Sequence, residues 1–266
     1  MCYTISQMKK RAYDSALREG LPGEVIDRLW REWQESEKLL TDESNGENQN
    51  YKVSGFEHPN LYAITGAGAF EAVRPKWGLI PSWVKDESQA REIKNKTLNA
   101  RGESIFEKAA FKLAAQNNRC LIFVDGFFEH YHYKGRTYPY FIQSKSQNAP
   151  LVFGGLWAEW INKNTGEIIT TASIITTIAN ELMAKIHNNP KANGPRMPLI
   201  LDPENFETWL FSKEKTIIKN LIKPFSQEKL TAFTVGKING KDAVPNGPDS
   251  VKEKVYPELF TKELFD

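Results

Sequence analysis

Cys2 is the residue with the most chemistry to offer. A small side chain behind the initiator Met permits removal of Met1, which leaves a terminal cysteine, a 1,2-aminothiol. Its amine titrates near about 7.7–8.0 and its thiol near about 8.5, so both nucleophilic forms are accessible around neutrality. The amine of such a residue condenses with an aldehyde, and the thiol then closes a five-membered thiazolidine ring. Alternatively the amine acts as base for the thiol, the N-terminal-nucleophile arrangement. The ordinary alternative is a residue whose small size only permits trimming of Met1.

Other stretches carry weaker signals. Cys120-Leu121-Ile122-Phe123-Val124-Asp125-Gly126-Phe127-Phe128-Glu129-His130 reads as an apolar strand ending at Asp-Gly, then two aromatics and an acid. Beside Phe127 and Phe128, Glu129 is a candidate for partial desolvation, which lifts a carboxyl toward proton-transfer use. The alternative is a strand-end carboxylate in water. Within residues 176–187, Thr176 or Thr177 is expected to cap a short helix delivering His187 at its C-terminal end, where the helix dipole favours imidazolium; the alternative is a structural or solvated histidine. Pro195-Arg196-Met197-Pro198-Leu199-Ile200-Leu201 reads as a rigid turn entering a strand.

Asn99 offers an amide donor and acceptor, and Arg101 a planar guanidinium suited to phosphate or carboxylate. A helix entry with a solvated arginine is the alternative there. Trp77 and Trp83 flank Gly78-Leu79-Ile80-Pro81, with Arg74, Lys76 and Lys85 nearby. Cations interleaved with aromatics suit a nucleic-acid single strand, whose phosphates meet the charges while its bases stack. Core tryptophans are the competing explanation.

These residues need elements to position them. The spacing predicts a helix over 11–40 with a Leu21-Pro22-Gly23 break, a polar loop over 40–50 and an extended stretch over 60–84. A helix follows over about 103–115, then strands over 120–124, 138–142, 151–157 and 168–176, with turns at Lys134-Gly135 and at 163–166. A short helix over 178–187 and one over 203–222 packing around Phe206, Trp209 and Leu210 come next. Residues 236–256 are turn-rich and expected at the surface. No repeat or composition shift divides the chain, and a strand-rich middle with peripheral helices argues for one α+β domain across 1–266.

Composition narrows the function classes. With 35 Lys and Arg against 33 Asp and Glu in 266 residues, a net charge of +2 excludes a histone-like polycation or an acidic tail protein. An apolar share of 40% supports a packed core rather than a disordered chain. No run approaches the roughly eighteen apolar residues of a membrane span. The N-terminal stretch lacks the apolar core of a secretory signal, so a reducing, cytoplasmic setting is expected. Two cysteines are too few for a disulfide framework, and His58, His130, His132 and His187 show no metal-site spacing, so neither metal nor cofactor is expected.

Taken together and in order, Met1-Cys2, Trp77-Gly78-Leu79-Ile80-Pro81-Ser82-Trp83, Asn99-Ala100-Arg101, Asp125-Gly126-Phe127-Phe128-Glu129, Ile186-His187 and Arg196-Met197-Pro198-Leu199-Ile200-Leu201 resemble the SOS-response-associated peptidase (SRAP) family. Thr234-Val235-Gly236-Lys237-Ile238-Asn239 extends the likeness weakly. Members of that family protect abasic sites in single-stranded DNA, on one compact α+β domain with a barrel-like β centre. The resemblance implies that Cys2, freed of Met1 by autoproteolysis or an aminopeptidase, bonds covalently to the ring-opened abasic aldehyde. Asn99 would position the terminal cysteine, Glu129 would shuttle protons, and His187 would assist ring opening and the reverse reaction. Arg74, Lys76, Trp77, Trp83, Arg101, Arg196, Met197 and Pro198 form the implied DNA-binding set, with Arg101 on phosphate and Trp83 shaping a wedge. A monomer with single-stranded DNA as its partner is expected.

Three places depart from the family pattern. The family opens Met-Cys-Gly-Arg, whereas Tyr3 and Thr4 follow Cys2 here; the residue after the glutamate is His130 instead of tryptophan; and 188–195 separate His187 from Arg196. Two competing functions remain. One is an N-terminal-nucleophile cysteine peptidase or amidohydrolase, which would turn over an amide. The other is a nucleic-acid-binding module in which Cys2 is incidental.

Overall fold

The computed structural model of the chain describes residues 2–7, 51–66, 70–146 and 149–259. The helix expected over 11–40 and the loop over 40–50 lie outside the described residues. The organising element is a 15-residue strand, Arg119–Tyr133. It is the seventh strand in chain order, β7, after β1 (Thr4–Gln7), β2 (Val53–Ser54), β3 (Ala63–Thr65), β4 (Glu71–Val73), β5 (Lys76–Trp77) and β6 (Asn99–Arg101). Its apolar run has little alternation because the first half is buried on both faces. Leu121 and Phe123 enter a core shared with Ile105, Phe106 and Trp209. Cys120, Ile122 and Val124 enter another, shared with Cys2, Ile5 and Trp77.

Both edges of β7 change partner midway. On one side β9 (Leu151–Ile161) gives way to β8 (Arg136–Ser144), and on the other β3 gives way to β1. The expected strand end at Asp125-Gly126 is therefore absent. A Cβ on Gly126 would lie 2.5 Å from the Ile142 carbonyl oxygen and from the Phe141 ring. That glycine lets β8 approach closely instead of ending the strand. The real turn is Lys134-Gly135, with φ of 46° and 74°, which closes the β7–β8 hairpin at Tyr133↔Arg136.

A second spine is β10 (Ile168–Ile178). One edge pairs antiparallel with β9 and then with β11 (Arg196–Pro198); the other pairs parallel with β5 and then β6. With β12 (Leu230–Thr234) on β8, the mixed sheet of twelve strands among the described residues curls into a half-barrel. The result is one compact α+β domain with a β-rich, barrel-like core and helices outside.

The helices differ from expectation in length. An unanticipated one, α1 (Glu87–Lys96), buries only Ala90 completely, so it leaves almost no apolar periodicity to read. Its start is signalled by Asp86, whose carboxylate accepts from the Gln89 N–H at 2.8 Å. The helix expected over 103–115 shrinks to α2 (Lys112–Asn117), preceded by a 3-10 turn over Gly102–Ser104. The expected 178–187 segment is α3 (Glu181–Ile186), capped by Asn180, which accepts from the Met183 N–H at 2.8 Å; Thr176 and Thr177 belong to β10. The 203–222 helix divides into α4 (Phe206–Phe211) and α5 (Lys215–Leu221). Residues 236–256 contain no α-helix. They are tied down where Lys52 Nζ donates to the carbonyls of Ile238 and Val244 at 3.0 and 2.7 Å.

Two helix C-termini meet the sheet at Arg119, which is 1% exposed. Its guanidinium donates to five carbonyls, Ala115 and Gln116 at the end of α2 and Trp209, Leu210 and Ser212 at the end of α4. Orphan carbonyls and the negative dipole ends find one cation, which fixes both helices to the sheet. No helix among the described residues is long and apolar enough to cross a membrane.

Candidate active site

The site lies where β1 stops covering β7. Their last paired residues are Thr4 and Phe128, so the β7 edge from Glu129 onward is free for other elements. Cys2, two residues ahead of the start of β1, is buried. Asn99 Nδ2 donates to the Cys2 carbonyl at 2.8 Å. Asn99 opens β6, and its pairing with Ile174 of β10 sets the amide's position. Its Oδ1 is buried without a hydrogen-bond partner, a costly arrangement unless a further donor arrives. Burial pushes the Cys2 thiol pKa well up, and the Glu129 carboxylate pushes it the same way.

Glu129 is 7% exposed, and burial raises its pKa. One of its oxygens accepts from the His130 N–H at 3.0 Å, and the other is 4.0 Å from His187 Nε2. His187 is the C-cap residue of α3. Its Nδ1 lies 3.0 Å from the Arg196 N–H. A ring nitrogen that accepts carries no proton, so the neutral tautomer with Nε2–H toward Glu129 follows. The imidazolium expected from the helix dipole is thus overturned: burial, ahead of nearby positive charges, lowers the His187 pKa to about 4. A six-residue helix offers little dipole against that cost.

Two clamps hold the imidazole. Asn188 joins the vacated β7 edge, its Oδ1 accepting from the His132 N–H at 2.7 Å and its Nδ2 donating to the His132 carbonyl at 2.9 Å. On the far side, Arg196 spans Glu103 with two bonds of 3.0 and 2.8 Å and also donates to Thr176. Residues 188–195 loop outward and leave His187 and Arg196 in contact, although eight residues stand between them in sequence (196 − 187 − 1). Cys2, Asn99, Glu129 and His187 thereby converge from separate elements.

The proposed nucleic-acid residues do not all reach one surface. Trp77 is fully buried, its indole N–H donating to the Leu98 carbonyl at 2.8 Å, and it packs in the same core as Cys2. Arg196, Met197 and Pro198 are buried in β11. Lys76 and Arg101 are exposed, and Trp83 is 48% exposed. Half-buried Arg74 lies over the Tyr62 ring at 3.6 Å, with its Nε and Nη1 buried and lacking hydrogen-bond partners. Among the described residues no three His, Cys, Asp or Glu side chains cluster as metal ligands.

Sequence reading overlooked three contributors. Tyr3 is half-buried beside the site, and its phenol pKa is raised by burial and then by Glu129 and Cys2. Asn188 and Glu103 are the clamp partners just described. Glu103 follows Arg101 closely enough to have been read with it; for Asn188 no local signal exists.

Residues 16–241 match the pattern of a family described as SOS response associated peptidase (SRAP). The matched stretch holds Asn99, Glu129 and His187 and starts after Cys2. The chain is 37% identical over 183 residues to the abasic site processing protein YoqW of Bacillus subtilis, covering 67% of this chain and 76% of that one. It is 29% identical over 204 residues to the abasic site processing protein HMCES of Xenopus tropicalis, covering 69% and 58%. A crystal structure of a protein from Bacteroides thetaiotaomicron superposes with a TM-score of 0.75 at 32% identity, over 96% of this chain and all of that one.

Proposed function

The chain belongs to the SRAP family, and from that premise we propose that it senses abasic sites in single-stranded DNA by covalent capture on Cys2. The single observation that carries the reading is the clustering of Cys2, Asn99, Glu129 and His187: Asn99 donates to the Cys2 carbonyl, the Glu129 carboxylate acts on the Cys2 thiol, and His187 Nε2 lies 4.0 Å from Glu129. Removal of Met1, by the protein itself or by an aminopeptidase, frees the α-amine. An abasic sugar opens to an aldehyde, and the amine adds to it to give a carbinolamine. Loss of one water leaves an imine. The thiol then adds across the C=N bond: sulfur bonds to carbon, the thiol proton goes to nitrogen, and a thiazolidine forms.

The electrostatics suit these steps. Burial disfavours the ionised form of the Glu129 carboxyl, which suits it to protonate the departing water, and its conjugate base then relays the thiol proton to nitrogen. The neutral His187, with its Nε2–H toward Glu129, would donate a hydrogen bond to the ring oxygen as the sugar opens, while the proton itself comes from the Glu129 carboxyl. At 4.0 Å the two groups do not bond directly, but a substrate hydroxyl between them could pass a proton. Asn99 holds the Cys2 carbonyl, and its unpartnered Oδ1 offers an acceptor to the new terminal amine.

Turnover of separate amide substrates, the peptidase or amidohydrolase alternative, would need repeated attack by a thiolate, which burial disfavours, whereas excision of Met1 is a single event. An imine is a far better electrophile and accepts a thiol whose proton is removed in passing. Lys76, Arg101 and Trp83 would guide the strand, and a net charge of +2 leaves such local contacts sufficient. The protein would act as a monomer across 1–266 in the cytoplasm.

The test is a denaturing gel of the protein mixed with single-stranded DNA carrying one abasic site. A covalent shift is expected, and Cys2→Ala should abolish it. Equal capture of intact DNA, or a full shift with Cys2→Ala, would remove the assignment.

A further inference from the structure

We propose that Tyr3 and Phe56 form a stacking platform for the nucleobase next to the reacting sugar, so that the protein favours lesions whose neighbouring base is present. This rests on the reading of Cys2 as the residue that meets the aldehyde. The two rings lie 5.1 Å apart at 33°. Tyr3 is half-buried against the core that contains Cys2, while Phe56 is 57% exposed. A single exposed phenylalanine needs no explanation. One paired with a second aromatic directly after the nucleophile is a different object, because a base adjoining the captured sugar must pass the residue adjoining Cys2.

The platform is held stiffly. Phe56 sits in a 3-10 turn, Gly55–Glu57, whose N–H at Gly55 donates to the Tyr3 carbonyl at 2.8 Å. The turn is closed by His58 in the left-handed region, φ 52°, whose Nδ1 lies 2.7 Å from the Trp77 carbonyl oxygen. Beneath it, a Cβ on Gly55 would be 3.1 Å from the Trp77 ring, so the turn rests on the indole. The backbone that carries Phe56 is thus ordered before a flat ligand arrives, so little of its freedom remains to be lost. Glu57 is exposed beside Phe56 and Lys52 lies close enough to balance its charge, so no net positive charge draws a phosphate to the two rings. The family pattern has glycine at position 3, so the paired surface is a property of this chain.

The experiment measures binding of the full-length protein to two aldehyde-free oligonucleotides. One carries a single tetrahydrofuran abasic analogue between ordinary nucleotides; in the other the flanking nucleotides also lack bases. Wild-type protein should bind the first about tenfold more tightly, the order expected for one stacked base. Phe56→Ala and Phe56→Leu should erase that preference, and Phe56→Trp should restore it. An undiminished preference in Phe56→Ala, or none in the wild type, overturns the platform. Crosslinking to a true abasic site is read in parallel. Capture without a Phe56-dependent preference removes the platform alone. A Phe56-dependent preference without capture leaves the platform standing and removes the Cys2 chemistry.

Discussion

Arg119 and Glu129 are both buried, both ionisable and both on β7, yet they are treated in opposite ways. Every carbonyl around Arg119 is an acceptor that cannot lose or gain a proton, and five of them converge on the one cation. Glu129 instead faces a neutral imidazole and a thiol, groups that exchange protons, and its own pKa is driven upward. One end of the strand spends a buried charge on holding two helices. The other keeps a carboxyl uncomfortable, at a place where Asn99 Oδ1 also waits for a donor. The difference separates a buried cation that holds the fold from the carboxyl proposed to react more clearly than burial alone does.

The largest effect should come from Glu129→Gln. It should slow crosslinking by about 10²–10⁴-fold in single-turnover assays, while stability at pH 7 rises. The sign follows from linkage: a carboxyl raised on folding binds more protons in the folded state, so its penalty grows as pH climbs above the unfolded value near 4.3. Denaturant melts of the variant should therefore exceed wild type at neutral pH and match it in acid. Arg119→Met should do the reverse in kind, costing at least about 3 kcal/mol in urea unfolding, because it leaves buried carbonyls unpaired.

His187 sharpens the contrast with a pH window. Its folded pKa of about 4 lies below the ordinary histidine value, so its contribution is complete above about 6.5 and is lost as pH falls toward 4. His187→Gln should flatten the wild-type stability profile between those limits; an unchanged slope would show that this ring titrates normally. The smallest pair of effects compares the tryptophans. Trp83→Ala should weaken single-strand binding about tenfold with little change in melting. Trp77→Ala should destabilise by about 3–5 kcal/mol, since that ring is wholly enclosed.

Much of the sheet was legible because its strands are apolar runs bounded by turn residues, and Lys134-Gly135 is the hairpin signal it looks like. Asp125-Gly126 carried the same local signal and meant something else. Its glycine answers to β8 across the sheet, a contact invisible along the chain. The helix α1 escaped because nearly all of it faces water, although its Asp86 cap was readable. At the site, residue types were legible and their states were not. The neutral His187 depends on an N–H from Arg196 that only the outward loop of 188–195 brings near. Trp77 and Trp83 look alike in sequence, and only the folded sheet puts one in the core and leaves the other half outside.

A terminal cysteine that captures an aldehyde with nitrogen and sulfur together is the centre of the proposed chemistry. Intact-mass analysis of the protein and of its product with abasic single-stranded DNA tests this most directly. The protein should lack Met1, and the product should weigh the sum of the two partners less one water, with the DNA fragment on the peptide that begins at Cys2. A product that retains Met1, or one whose linkage maps to a lysine, would contradict it.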